Sequence, residues 1–378
     1  MAPVVTPVRN SADMAAFVGL PWQIYADCPQ WVPTIRKQDE DLLTPGKHPF
    51  WENARRELFL ARRGERIVGR IAAIVDTKYN EYAQEACGAF GFFECEDDTE
   101  AAHALFDAAA RWLAPQGMAF MRGPLNPSTN YTCGLLVDGF DVQPALMMPW
   151  NHDYYPRLFE SWYLRKEEDL FAYRIDKNNC TPSEEVQAEI ARLKAGGRFT
   201  CRKARRLHLA EDIHTMLELY RESWAENWGF SPLSEAEAAH HVHDLKDILD
   251  REFFVLFFCD GKPAAGMVAL PDLTPLLKRC NGSLGFSTLW HFLRTRHLFG
   301  RGYRIMLFGI REKYRLHGLP LLLLDYMLEQ ARSRDDLQWV EGSWVLEDNV
   351  PICDLIEDFG GQIVSRYRLY RRELSEWQ

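Results

Sequence analysis

The sequence predicts a mixed α/β fold, with an α+β mixed sheet, built from two similar domains in tandem. The chain has 378 residues, enough for two domains of about 150 residues each. Short β-rich runs alternate with amphipathic helical patterns along its whole length. Both halves also follow one order of elements: a helical start, a hairpin, a strand, a helix, a strand, a short helix and a strand.

In the first half, an aromatic and proline-rich stretch at 20–55 predicts an irregular segment. Two β-rich runs flank Arg63-Gly64 and predict a hairpin at 57–76. The stretch 96–117 starts with acidic residues, has apolar residues at helical spacing and ends at a glycine, so it predicts a helix. The remaining predicted elements are strands at 88–96, 118–126 and 167–176 and a short helix at 153–162.

The second half opens with a helix in 177–197 that starts at Thr181-Pro182. Asp260-Gly261 marks the turn of a hairpin at 251–270. The other predicted elements are helices at 211–229, 319–334 and 350–361 and strands at 304–310, 337–346 and 362–374. We therefore expect an N-terminal domain at 1–176, a linker helix at 177–199 and a C-terminal domain at 200–378.

A residue-level repeat supports a duplication. At an offset of 197, Leu158-Phe159-Glu160 corresponds to Leu355-Ile356-Glu357, and Tyr173-Arg174 corresponds to Tyr370-Arg371. A repeat of this length indicates duplicated domains and not a solenoid.

Composition and charge narrow the class of function. The chain carries 44 Lys and Arg against 54 Asp and Glu, so nucleic acid is an unfavourable partner. Its nine cysteines are scattered without metal-ligand spacing, which indicates free thiols in the cytoplasm. The longest apolar runs fall short of the roughly 20 residues of a membrane span, and a peripheral contact with the inner membrane stays open. Aromatic residues make up 13%, which suggests large cores, an apolar ligand channel or both.

The strongest local signal is the stretch 304–320, RIMLFGIREKYRLHGLP. A β-rich run leads through a polar turn into an apolar helix, so free N–H groups and the positive helix end suit an anion such as pyrophosphate. Gly318 lets the backbone come close, and Pro320 fits a first helical position. The alternative is that Arg315 and its neighbours form only a charged turn.

This turn resembles the acyl-CoA pyrophosphate motif R-x-x-G-x-G/A of the GCN5-related N-acetyltransferase (GNAT) superfamily, with Pro320 at the last motif position. Most of the chain resembles two-domain bacterial acyltransferases of that superfamily, and it is similar to bacterial ceramide synthases. The stretches that carry this resemblance are 48–54, 59–74, 91–98, 121–140, 147–160 and 343–349.

The resemblance implies a sheet splayed between its fourth and fifth strands, here 304–310 and 337–346. It implies direct attack of an amine on the thioester of acyl-CoA, a co-substrate, with no permanently bound cofactor or metal. The residues implied for CoA binding are Ile310, Arg311, Arg315, His317, Gly318, Leu319, Pro320 and Asn349. In the first half, Asp97-Asp98-Thr99-Glu100 stands where this turn would lie, so we predict that the first domain does not bind CoA in this way.

Four residues are candidates for proton transfer. Glu347 follows the fifth strand and Glu341 lies within it, and either carboxylate suits a base. Glu347 could instead belong to a helix-capping cluster. Tyr370 could act as an acid or simply pack in the sheet, and His152 is the histidine that best suits a base.

The stretch 121–140 combines amide and hydroxyl groups with prolines and glycines. It either orients a polar acceptor or forms an ordered surface loop. The residues suited to acceptor binding are Asn126, Ser128, Asn130 and Tyr131.

Two other patterns favour structural interpretations. No nucleophile motif surrounds Cys133, so a Cys133–His152 pair is disfavoured. His240, His241 and His243 lack a fourth ligand at metal-site spacing and are predicted to lie on a solvated helix face.

Three functions remain. The favoured one is an acyl-CoA-dependent N-acyltransferase of lipid metabolism, including the long-chain acylation of a sphingoid base. The alternatives are an aminoacyl-tRNA-dependent transferase of similar fold and a non-catalytic acyl-CoA-binding protein.

Overall fold

One continuous sheet runs through both halves of the chain. The computed structural model describes residues 1–246, 248–295 and 298–377. The strands within these ranges are β1 Val4–Pro7, β2 Ala54–Arg63, β3 Arg66–Asp76, β4 Cys87–Cys95, β5 Phe120–Gly123, β6 Leu125–Asn126, β7 Thr132–Cys133, β8 Leu135–Asp138, β9 Arg165–Asp176, β10 Phe199–Lys203, β11 Phe254–Cys259, β12 Lys262–Pro271, β13 Gly302–Ile310, β14 Trp339–Leu346 and β15 Gln362–Glu373.

Helices cover both faces of this sheet and give the mixed α/β architecture that the sequence predicts. They are α1 Ser11–Ile24, α2 Arg36–Leu42, α3 Thr77–Ala83, α4 Thr99–Leu113, α5 Tyr155–Ser161, α6 Glu184–Ala195, α7 Leu209–Trp224, α8 Glu235–Leu245, α9 Thr274–Cys280, α10 Phe286–Thr295, α11 Leu319–Arg332 and α12 Val350–Asp358. Helix α1 supplies the predicted helical start of the first half, and its end overlaps the stretch 20–55. Helix α2 lies inside that stretch, which was predicted to be irregular because of its prolines.

The two halves exchange their last strands. The strand order is β1-β2-β3-β4-β5-β15-β9-β14-β13-β12-β11-β10, and β8 pairs with β15 beside this path. β15, the last strand of the second half, lies against β5 of the first half. β9, the last strand of the first half, lies against β14 of the second half. The two halves therefore share one sheet. The division into two domains at residue 176 stays a prediction.

The exchange preserves the internal repeat. Leu158-Phe159-Glu160 lies in α5 and Leu355-Ile356-Glu357 lies in α12, and each of these helices precedes one exchanged strand. The paired tyrosines Tyr173 and Tyr370 lie on those strands, and both are buried. The repeated residues thus occupy equivalent places in the two halves.

The second half has the splayed sheet that the resemblance implies. Strands β13 and β14 are parallel and pair from Gly302 opposite Trp339 to Ile305 opposite Gly342. Beyond that point the two strands no longer pair with each other, although β13 runs to Ile310 beside β12 and β14 runs to Leu346 beside β9. The unpaired ends form a wedge-shaped opening in the sheet.

The first half fills the same opening with its own chain. β4 and β5 pair over three residues and then part. The chain after β5 turns back into the gap, where Asn126 Oδ1 accepts a hydrogen bond from the Phe92 N–H at 2.5 Å. A side chain at Gly91 would lie 1.7 Å from the Leu125 carbonyl oxygen. This splay is therefore closed to a ligand.

The first half is acidic at the position equivalent to the turn before α11, which is the turn predicted to bind CoA. Asp98 caps α4 by accepting from the Ala101 N–H, and it also binds Arg63. A carboxylate therefore already caps this helix N-terminus, and that the first domain does not bind CoA in this way stays a prediction.

Candidate functional site

A cavity of about 740 Å³ opens in the splay between β13 and β14. Its walls come from both halves of the chain and are mainly apolar, with Trp224, Trp228 and Trp344 among them. The first half contributes Thr129, Asn130, Tyr131, Cys133, Met147, Leu170 and Ile175. The volume and lining fit a hydrocarbon-bearing ligand of ordinary cofactor or drug size.

The turn before α11 lies at one end of this cavity. A 3-10 helix at Glu312–His317 leads to Gly318, whose φ of 80° lies in the left-handed region. Helix α11 begins at Leu319 with Pro320 in its first turn, and the side chains of Arg315 and Pro320 line the cavity. The turn therefore presents a helix N-terminus and a cation to the space in the splay.

The last residues of α7 already bind this turn and the adjoining strand edge. Trp224 Nε1 donates to the Phe308 carbonyl at 2.8 Å, and the Ile310 N–H donates to Ser223 Oγ at 3.1 Å. Arg315 donates to the Ser223 carbonyl at 2.6 Å, while Glu222 pairs with Arg311 at 2.9 Å. We call residues 222–224 the α7 latch. The latch binds the Phe308 carbonyl and the Ile310 N–H, which have no partner on β14 because the two strands have separated there.

The other residues predicted to bind CoA are divided between this site and its surroundings. Ile310 and Asn349 line the cavity, and Asn349 precedes α12. Leu319 is fully buried and packs in the core, while His317 is exposed on the turn. Leu319 therefore can contribute only its backbone to a ligand.

Two of the four predicted acceptor residues line the same cavity. Asn130 accepts from the Tyr220 hydroxyl at 3.1 Å and donates to the Ser231 carbonyl at 2.7 Å. Tyr131 also lines it. Asn126 and Ser128 do not line the cavity and make their hydrogen bonds within the first half. Asn126 accepts from the Phe92 N–H in β4, and Ser128 accepts from the Asn130 N–H at 3.3 Å. The loop thus joins the two halves through Asn130 and Tyr131.

A polar cluster beside the cavity includes a histidine that faces inward. Tyr131 donates to Glu237 at 3.1 Å, and Lys78 pairs with the same carboxylate. The His241 ring packs on Tyr131 with centroids 5.0 Å apart, and His240 packs on His48 at 4.5 Å. The predicted solvated helix face is therefore wrong for His240 and His241, because α8 packs its inner side against the first half; only His243 is exposed.

Two buried polar atoms of cavity-lining side chains have no hydrogen-bond partner within the described residues. They are His241 Nε2 and Trp344 Nε1. Burial holds the pKa of His241 below its ordinary value, so the imidazole is neutral at neutral pH. An unpartnered buried donor or acceptor is costly unless a ligand uses it. A neutral imidazole nitrogen and an indole N–H are therefore left without partners in side chains of the cavity lining.

The four predicted proton-transfer residues are absent from the described cavity lining. Glu347 binds Lys166 at 2.7 Å and the Asp169 N–H at 3.1 Å, and Glu341 pairs with Arg174 at 2.8 Å. His152 packs among aromatic rings of the first half, and the Tyr370 hydroxyl donates to Glu160 at 3.2 Å. Each of these groups has a structural partner, and the structure does not bring them together.

Burial shifts the pKa values of two side chains in the cavity lining, Cys133 and Arg304, and leaves the thiol neutral and the guanidinium charged at neutral pH. Burial raises the pKa of Cys133 to about 12, which leaves no nucleophilic thiolate near neutral pH. Arg304 is buried at the cavity floor, where burial lowers its pKa to about 10, and it donates to Ser343 Oγ and the Leu146 carbonyl. Arg304 thus ties the fifth-strand region to the first half.

Sequence reasoning missed His241, Trp344 and the α7 latch. The alanine- and glutamate-rich pattern around these histidines predicted a solvated helix face, and nothing in the sequence of α8 shows which side meets the other half. A partial signal existed: Ser234 and Glu237 form a capping box, which fixes where α8 starts. Within the described residues, no group of three or more His, Cys, Asp or Glu side chains could hold a metal ion.

Comparison with protein-family models gives no match for this chain. Among curated proteins, it is 32% identical to the bacterial ceramide synthase of Caulobacter vibrioides, with 98% of this chain and 97% of that protein covered. It is 30% identical to the protein YghO of Escherichia coli, with 98% of this chain and 95% of that protein covered.

Solved structures share the fold at low identity. A tandem GNAT protein from the clavulanic acid biosynthesis pathway superposes with a TM-score of 0.57 at 10% identity, covering 99% of both chains. A GCN5-related N-acetyltransferase from Sphaerobacter thermophilus gives 0.54 at 13% identity, with 98% and 96% covered. The chain therefore belongs to the acyltransferase family of the Caulobacter bacterial ceramide synthase and has the fold of a tandem GNAT protein.

Proposed function

We propose that this protein is an acyl-CoA-dependent N-acyltransferase that acylates the amine of a long-chain, lipid-like acceptor such as a sphingoid base. The observation that carries the proposal is the large apolar cavity in the β13–β14 splay, which ends at a helix N-terminus bearing Arg315. An apolar cavity of this kind suits hydrocarbon chains, while the helix end suits the diphosphate of CoA. The name of the Caulobacter relative supports the same acceptor class.

In this proposal the donor lies along β13. The diphosphate binds the first turn of α11 and Arg315, and the pantetheine arm pairs with the polar groups of Phe308 and Ile310. Those groups bind the α7 latch in the structure described above. Donor binding therefore displaces residues 222–224, and acyl-CoA is a co-substrate, not a permanently bound group.

His241 acts as the base and Trp344 as an oxyanion donor in the proposed reaction. Neutral His241 takes a proton from the acceptor ammonium, and the free amine attacks the thioester carbonyl. The Trp344 N–H stabilises the negative charge that develops on the carbonyl oxygen. The carbon–sulfur bond then breaks as the amide forms. The nitrogen gives up its second proton in this step, and that proton goes to the leaving CoA thiolate, while His241 returns its own proton to solvent.

We also propose a cytoplasmic location. All nine cysteines are free, as in a reducing compartment, and seven of them are buried. A CoA donor is consistent with that compartment. The predicted exclusion of nucleic acid as a partner rests, as before, on the acidic charge of the chain.

Calorimetric titration of the protein with acetyl-CoA and palmitoyl-CoA tests the donor site. Arg315→Ala should weaken binding by at least about tenfold, since a charge-assisted contact to phosphate is lost. Arg192→Ala is the matched control, because Arg192 is exposed on α6 and pairs with Glu189. Equal binding by both variants, or no binding of either donor by the wild type, would contradict the proposed donor site.

Turnover is tested separately with palmitoyl-CoA and sphinganine, with the amide measured by mass spectrometry. Amide formed by the wild type and strongly reduced in His241→Gln supports the reaction. Donor binding without any amide product would instead support a non-catalytic acyl-CoA-binding protein.

A further inference from the structure

An apolar helical insertion stands out from the second half of the fold. Strands β12 and β13 are antiparallel neighbours, which a tight turn would suffice to join. Residues 272–301 intervene instead and contain α9 and α10. The equivalent connection of the first half, between β3 and β4, holds only the short helix α3. The insertion is therefore not required by the sheet.

The outer side of α10 is apolar and exposed. Leu289 is 68% exposed and Trp290 is 59% exposed, and Phe292 and Leu293 are also exposed. Leu284, just before the helix, is exposed as well. We call these five side chains the α10 patch. Contiguous exposed side chains of this size mark an interaction surface and not ordinary surface variation.

The base of the insertion is fixed to the first half. Trp22 Nε1 donates to Asn281 at 3.0 Å, and Arg36 N–H donates to the Gly282 carbonyl at 3.0 Å. Lys278 donates to the Gln143 side chain and to the Pro29 carbonyl, both at 2.5 Å. The patch is thus held outward on an anchored support, so its exposure is built into the fold.

The charge of the insertion is opposite to that of the whole chain. Residues 272–301 contain five Lys or Arg and one acidic residue, Asp272, whereas the whole chain carries a net charge of −10. The exposed residues Arg279, Arg294 and Arg301 lie in this segment, and Arg294 lies over the Trp290 ring. A basic surface beside leucine, phenylalanine and tryptophan is the composition of helices that lie in a membrane interface.

We propose that the α10 patch docks this protein on the surface of an anionic lipid bilayer. The apolar side chains enter the boundary between headgroups and acyl chains, and the arginines contact lipid phosphates. No helix within the described ranges is long and apolar enough to cross a membrane, so this contact is peripheral. The docking argument does not depend on the proposed enzymatic reaction.

The position of the patch has a consequence that does rest on the proposed function. Gln143, which contacts the insertion, lies four residues before Met147, a partly exposed residue of the cavity lining. A bilayer on the α10 patch would therefore lie near the part of the cavity formed by the first half. A lipid-like acceptor would reach the cavity from that side.

Vesicle co-sedimentation of the full chain tests the docking without any substrate. We expect binding to vesicles of phosphatidylglycerol and phosphatidylcholine, weaker binding to phosphatidylcholine alone, and loss of affinity as salt is raised. The triple variant Leu289→Ser, Trp290→Ser, Leu293→Ser should bind at least about 1,000-fold more weakly, because each of the three apolar side chains contributes about tenfold or more.

The control is Leu207→Ser, which removes a side chain that is 92% exposed but lies outside the insertion. Circular dichroism checks that both variants fold. We expect both to fold, because the substituted side chains are exposed. Equal vesicle binding by the triple variant and the control would overturn the proposal, as would no binding by the wild type. A wild-type dimer that the triple variant abolishes, with no vesicle binding, would assign the patch to a second copy instead.

Discussion

Releasing the α7 latch should strengthen binding of acyl-CoA. The variant Ser223→Ala with Trp224→Phe removes the two side-chain hydrogen bonds by which the latch binds Ile310 and Phe308. These bonds hold the site in a conformation that the pantetheine arm must displace. The apparent affinity of a ligand is reduced by the fraction of protein in the competent conformation, so weakening the latch removes part of that reduction.

The structure bounds the size of this effect. Each hydrogen bond contributes about 1 kcal/mol, so the two together favour the latched state by about 2 kcal/mol. Their removal should therefore tighten binding by up to about 30-fold. The contact from Arg315 to the Ser223 carbonyl survives, because it uses the backbone, and it keeps the gain below complete release.

Isothermal calorimetry with palmitoyl-CoA measures the change directly. Thr215→Ala provides the control on the same helix, since its hydroxyl binds only along α7, to the Glu211 carbonyl in the described contacts. Unchanged or weaker binding in the double variant would refute the reasoning. It would mean that Ser223 and Trp224 contact the donor and do not compete with it.

Three further outcomes follow from particular contacts. Gly318→Ala should lower the free energy of unfolding by about 1–2 kcal/mol or more, because Gly318 has a φ of 80° and a Cβ there would lie 2.4 Å from Leu193 Cδ1. Gly285→Ala is the control, since a Cβ at Gly285 would meet no atom within 4 Å and should change the melting temperature little. Burial and the nearby His240 and His241 lower the pKa of His48 to about 4, so its proton is taken up only by the unfolded chain between pH 6.5 and 4. Stability should therefore fall by about 3 kcal/mol as the pH falls through that window, and denaturant unfolding of His48→Asn should show a smaller fall. If His241 is the base, kcat should decline on the acid side with a midpoint below 6.5, and His241→Gln should reduce kcat by about 100-fold or more with that decline removed; a retained decline would point to another group.

Local sequence patterns were enough to predict most helices and strands and to recognise the family. The hairpin at β2–β3, the helix α4 and the turn before α11 are recognisable because their signals are local: turn glycines, capping residues and apolar spacing within one element. The resemblance rests on the same kind of signal, and the comparisons confirm the similarity to bacterial ceramide synthases and the tandem GNAT fold.

The strand exchange could not be predicted in this way. β9 and β15 read as the closing strands of their own halves, and each has the alternation of a buried strand. Which neighbour such a strand pairs with depends on the approach of the two halves, which is a long-range contact with no local sequence signature. The helices α2, α9 and α10 were missed for a second reason, since prolines and glycines near their ends hide short helical patterns.

The sequence by itself determined the fold class, the net negative charge that disfavours nucleic acid, and the position of the turn for which we propose phosphate binding. Only the tertiary structure decided which side chains share the cavity. Asn130 and Tyr131 meet His241 there, while Glu341, Glu347, His152 and Tyr370 hold partners elsewhere. The physical reason is that a titratable residue's role depends on what surrounds it. Burial, partners and distance are set by packing between segments more than 100 residues apart, as in the Tyr131–Glu237 hydrogen bond.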